Sequence, residues 1–96
     1  MAKGNARKLA AARLLEGDLE ASLGNVERAL EAYREADHAD PSSAALTKAA
    51  ALAVRTGQRR QAYQSYGELC RRDSGSAACK RRDEIGRQLG VQTASD

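Results

Sequence analysis

Residues 29–44 read ALEAYREADHADPSSA. Alanine, tyrosine, alanine and proline stand at 29, 33, 36 and 41, and two serines follow at once. With Val26 and Leu30, these positions put Ala29, Tyr33 and Ala36 on one side of a helix running from about Val26 to His38. Small alanines let a second helix approach closely, and the flat ring of Tyr33 fills the wider gap one turn along. Pro41 cannot continue a helix and disfavours helical backbone in Asp40, so the helix ends there. Ser42 or Ser43 is placed to cap the next one.

Working outward from this stretch, the chain falls on itself when shifted by 33 residues. Gly24, Gly57 and Gly90 coincide, as do Leu19, Leu52 and Ile85, and Ala12, Ala45 and Ala78. Ala29 meets Ala62, Tyr33 meets Tyr66, Glu35 meets Glu68 and Asp40 meets Asp73. So many matches at one offset define a repeat array, and they predict equivalent surroundings for Tyr33 and Tyr66.

Each unit reads as two helices. The first runs from about Ala6 to Leu23 and is broken by Gly24-Asn25, glycine being common just beyond a helix end. A third helix runs to about Arg55 and stops at Gly57. A fourth spans Gln58 to Arg71 and a fifth Ala77 to Leu89, with Asp73–Ser76 as the turn between them. One domain over residues 1–90 is expected, with repeats at about 10–42 and 43–75, a capping helix at 77–89 and a frayed tail at 91–96. Composition agrees with an all-α class. There are 20 alanines and 10 leucines, no Trp or Phe, and few of the β-branched residues that strands favour.

The spacing Ala29, Tyr33, Ala36, Pro41 resembles the second helix of the tetratricopeptide repeat, A-x3-aromatic-x2-A-x4-P, with every interval matched. The second unit reads Ala62, Tyr66, Leu69, Ser74, a looser match. The family's first-helix signature falls on Arg13, Glu16, Gly17 and Glu20, of which only Gly17 conforms. A register displaced by one residue turns Ala12, Leu15 and Leu19 inward instead. Ankyrin repeats share the period, but their Thr-Pro-Leu-His opening is missing.

The resemblance implies an α-α superhelix of two repeats and a capping helix, whose concave side is lined by the first helix of each pair. On that side it places Thr47, Lys48, Ala51, Val54 and Arg55 from the second unit. From the first unit it places Leu14, Asp18, Ala21 and Ser22. The lysine and asparagine clamp of chaperone-tail-binding members is incomplete here, so that specificity is not carried over.

Little in the chain points to catalysis, a cofactor or a metal. His38 is the only histidine, and its place beside Asp37 and Asp40 suits a helix C-terminus, where polar groups satisfy terminal carbonyls. No phosphate-binding glycine pattern occurs. Cys70 and Cys79 fall across the turn between the fourth and fifth helices, where antiparallel neighbours meet. A bridge is geometrically open to them, but two reduced cysteines acting as small apolar packers are the favoured reading.

Arg59-Arg60, Arg71-Arg72 and Lys80-Arg81-Arg82 read as solvated faces, except that Arg82 should bury its stem. The net charge of +3 is concentrated after residue 54. Nucleic-acid binders carry denser basic clusters interleaved with aromatics, so a nucleic-acid role for the basic second half is only the rival reading. No apolar run is long enough to span a bilayer, and no signal peptide is visible.

The sequence therefore predicts a non-enzymatic, cytoplasmic protein-recognition module, a scaffold or adaptor within a larger signalling or assembly protein. Lys48 and Arg55 lie almost two turns apart on one side of a helix, favouring an acidic or C-terminal peptide. Two repeats offer a short groove, and self-association would enlarge it.

Overall fold

The computed structural model of the chain describes residues 2–90 and is all-α. Five helices follow one another: α1 (Ala2–Ser22), α2 (Val26–Ala39), α3 (Ala44–Arg55), α4 (Arg59–Arg72) and α5 (Ala77–Leu89). No strand occurs among the described residues. The expected tail at 91–96 lies outside them. α1 begins at Ala2 rather than Ala6; the other bounds fall within a residue or two of expectation.

The 33-residue offset recurs in the backbone. Gly24, Gly57 and Gly90 all take left-handed conformations, with φ of 82°, 77° and 78°, which a side chain would strain. At the first two, a paired bond closes the helix end. The Asn25 amide donates to the Glu20 carbonyl and that of Gly24 to Ala21, and Gln58 and Gly57 repeat this with Ala53 and Val54. Asp40 and Asp73 end α2 and α4 in nearly identical extended geometry.

Ser43 differs from expectation. It precedes α3 in a left-handed conformation, φ 73°, and its side chain makes no cap bond. Its carbonyl instead accepts from the Thr47 amide and hydroxyl.

Each helix packs chiefly on its neighbours in sequence. The core runs through Ala29, Leu30, Tyr33 and Ala36 of α2, Ala45, Ala49, Leu52 and Ala53 of α3, Ala62 of α4 and Ile85 of α5. Burial is unequal along the array. α3 buries Leu46 and Leu52 among four alanines, whereas α4 buries only Ala62, Ser65, Gly67 and Cys70.

In the first helix the structure selects one register. Gly17 is buried, and a Cβ there would lie 2.5 Å from the Tyr33 ring, so glycine is what lets α1 and α2 close on each other. The side expected to turn inward under the displaced register, with Ala12, Leu15 and Leu19, faces away from the core, as does Leu23. Tyr33 and Tyr66 are not equivalent. Tyr33 is buried, while Tyr66 is half-buried with the Arg81 guanidinium 5.8 Å from its ring centre.

Two further differences bear on α4. Cys70 and Cys79 form a disulfide, their Cα atoms 4.8 Å apart, where reduced packing was expected. The antiparallel approach of α4 and α5 brings the two Cβ vectors together, which spacing alone did not fix. Arg72, expected on a solvated face, instead donates both guanidinium nitrogens to Asp37 of α2, at 2.7 and 2.6 Å. That paired geometry suits a mostly buried carboxylate, which would otherwise be costly to leave unpaired. Arg82 is half-buried as expected and pairs with Asp83.

Candidate functional site

α1 and α3 lie side by side over α2 and leave a groove of about 370 Å³ between them. It is lined by Asp18, Ala21 and Ser22 of α1, Tyr33 of α2, and Lys48, Ala51, Leu52 and Arg55 of α3. Lys48, Ala51, Leu52 and Arg55 share one side of α3 because Ala51 and Leu52 each sit three or four residues from both Lys48 and Arg55. Tyr33 reaches the groove from below. Its ring rests on Gly17, and its hydroxyl emerges beside α1.

The polar groups of the groove are coupled. The Tyr33 hydroxyl donates to Asp18 Oδ1 at 2.6 Å, and the Lys48 ammonium lies 3.2 Å from the same oxygen. The Tyr33 bond, with a smaller effect of Lys48, holds the Asp18 carboxyl below its ordinary range. Burial and the neighbouring Asp18 push the Tyr33 phenol up to about 12, and the positive charge of Arg55 opposes that rise. Asp18 thus stays ionised and Tyr33 stays neutral across the physiological range.

Lys48 and Asp18 neutralise one another at mid-groove. Arg55 has no ion pair among the described residues and leaves the end near Ser22 positive. Nothing in this arrangement resembles an activated nucleophile or an acid–base pair. Among the described residues no group of three or more metal-ligating side chains converges.

Of the residues predicted for the concave side, the groove gathers Asp18, Lys48, Ala51 and Arg55, together with Ala21 and Ser22. Leu14 packs partly buried against the core, beside the α2–α3 turn. Thr47 is exposed and ties back to Ser43. Val54 opens instead into a second hollow shared with Arg59 of α4 and Arg81, Glu84, Ile85 and Gln88 of α5. From the sequence alone Tyr33 stands out only as a core residue. A buried phenol needs a partner for its hydroxyl, and Asp18, next to Gly17, was the nearest acid to seek.

Compared with family models, curated proteins and solved structures, the chain matches none of them. Among the described residues, no helix is long and apolar enough to cross a membrane.

Proposed function

We propose that this chain is a tetratricopeptide-like recognition module that binds an acidic or C-terminal peptide segment along the α1–α3 groove and catalyses no reaction. The observation that carries this reading is the charge layout of the groove. Asp18 is satisfied internally by Tyr33 and Lys48, so Arg55 supplies the net charge that a ligand meets. Ala51, Ala21 and Ser22 are small and leave room for an extended chain beside it. As a module with one short groove, it serves as a scaffold or adaptor inside a larger assembly.

The rival reading, nucleic-acid binding through the basic second half, loses support from the same structure. Arg71 is paired with Glu68, Arg72 with Asp37 and Glu68, and Arg82 with Asp83, so three of the nine basic residues after position 54 are already answered within the chain. A cytoplasmic setting is part of the proposal. The Cys70–Cys79 bridge is the feature that an oxidising compartment would preserve instead. Thiol titration of freshly isolated, unfolded protein decides between them.

Selection from a random displayed-peptide library tests the main claim without presupposing a partner. Acidic peptides should be enriched, and their titration should move the amide resonances of Ser22, Ala51 and Arg55. Enrichment of basic peptides, or shifts confined to α4 and α5, would overturn the reading. A steep loss of affinity with salt for single-stranded nucleic acid, stronger than for any peptide, would establish the rival.

A further inference from the structure

The leucines that α1 turns away from the core need an explanation that the groove does not supply. Leu9, Leu15, Leu19 and Leu23 are 48%, 69%, 59% and 65% exposed. Leu15, Leu19 and the exposed Ala12, with Leu23 just past the helix end, form an apolar stripe on the side away from Gly17. Leu9 extends it at the edge toward α2, where it lines a hollow with Arg34, Glu35 and His38. The repeat shows what such a side is for. Leu19, Leu52 and Ile85 occupy one position of the 33-residue period, yet Leu52 is 4% and Ile85 8% exposed. Ala12 and Glu16 are likewise exposed where their counterparts Ala45 and Ala49 are buried. In the later units this side packs against the preceding helix pair; in α1 it has no cover within the described residues.

We infer that a second copy of this chain covers the stripe, the two α1 helices packing antiparallel about a two-fold axis. Two observations choose this occupant. The first is apolar complementarity. Among the described residues, Val54 is the only other large apolar side chain left so exposed, so a second copy can offer matching surface only with its own α1. The outer side of α5 presents Lys80, Arg81, Glu84 and Arg87, which excludes a head-to-tail stack of α5 on α1.

The second is charge. The first part of α1 carries Arg7 and Lys8 without an acid, and its last part carries Glu16 and Glu20 without a base. Asp18 faces the groove and pairs with Lys48, and Arg13 pairs with Glu16 and with Glu35 of α2. An antiparallel pair lays each basic part on the acidic part of the other copy and also opposes the helix dipoles. A parallel pair would set like charge on like. With Leu9 opposite Leu19 of the second copy, Ala12 falls opposite Glu16 and Lys8 opposite Glu20. A single helix seam lies at the small end of stable interfaces, so the dimer is weak, with Kd on the order of 10 µM. The inference does not rest on the peptide-binding reading, since α1 meets the groove with Asp18, Ala21 and Ser22 on a different side.

Sedimentation equilibrium on the full chain, from about 1 to about 200 µM, tests it. The mass should rise from the monomer value of 10.3 kDa toward twice that across the range. Leu15→Glu with Leu19→Glu should keep the far-UV helical signal, both side chains being exposed, and remain monomeric throughout. Two charge variants test the orientation and keep every leucine. Arg7→Glu with Lys8→Glu, and Glu16→Lys with Glu20→Lys, should each self-associate at least tenfold more weakly, while an equal mixture of the two recovers the dimer. A wild-type chain monomeric at every concentration would overturn the inference, leaving the stripe to another polypeptide. A dimer indifferent to the leucine changes would overturn it in favour of a different surface. Charge variants that each dimerise like wild type would overturn the antiparallel arrangement.

Discussion

The first and second helix pairs answer the same packing problem with different chemistry. Tyr33 and Tyr66 hold one position of the period, and Gly17 and Ala50 another. In the first pair the missing Cβ of Gly17 lets the Tyr33 ring sink between α1 and α2, and Asp18 satisfies its hydroxyl. In the second pair an alanine fills the glycine position and Ala51 stands where Asp18 would be, so Tyr66 stays half-buried under Arg81. α4 then contributes little apolar burial. The Cys70–Cys79 bridge ties it to α5, and the Arg72–Asp37 pair ties it to α2. A repeat thus preserves helix placement while the means of holding the helices changes from packing to a covalent bond and buried charge.

The largest expected contrast lies in the two tyrosines. Tyr33→Ala should destabilise the chain by roughly 3–5 kcal/mol, the range for a buried aromatic, and Tyr66→Ala by about half as much. Denaturant unfolding measures both; equal losses would erase the distinction between the pairs. Next is the bridge. Replacing Cys70 and Cys79 by serine should cost about 3 kcal/mol, since it removes a short covalent loop closure. Amide hydrogen exchange should quicken in α4 and α5 and stay slow in α2 and α3. Uniform quickening would mean that the pairs do not differ in how they are held.

Tyr33 also makes a prediction about pH. Its phenol titrates near 12 in the folded chain and near 10 when unfolded. Below pH 10 both states are protonated and the contribution is fully present. Between 10 and 12 only the unfolded chain releases the proton, so stability falls through that window, by up to about 2–3 kcal/mol. Tyr33→Phe should lack this component, and parallel pH curves for the two proteins would contradict the buried, hydrogen-bonded phenol. The charge pair is expected to matter least of these. Arg72→Ala should cost about 2 kcal/mol because Asp37 is left buried and unpaired, while the exposed Arg71→Ala should cost under about 0.5 kcal/mol.

Much of the framework was legible from residues alone. Glycine at 24, 57 and 90 and proline at 41 punctuate the helices by backbone conformation, which is local and therefore written in the sequence. The register of α1 was not, because its leucines gave a stronger helical signal than Gly17 did. Periodicity marks an apolar side without saying what covers it. The Asp37–Arg72 pair joins residues separated by 35 positions, off the repeat period, and depends on how α2 and α4 come together. Groove residues from α3 were readable because one helix sets their spacing. Tyr33 at its floor was missed because a core residue was not expected to show its hydroxyl to the surface.

The most direct test of the functional account reverses the charge that defines the groove. Lys48→Glu combined with Arg55→Glu should leave the helical signal intact and cost about 1 kcal/mol of stability, the Lys48–Asp18 pair that it breaks being largely solvent-exposed. Affinity for the peptide selected on the wild-type chain should fall at least tenfold, or about 1.4 kcal/mol. The contradicting result is binding that survives this reversal but is abolished by Arg60→Glu with Arg81→Glu, which would move the site to the basic surface of α4 and α5.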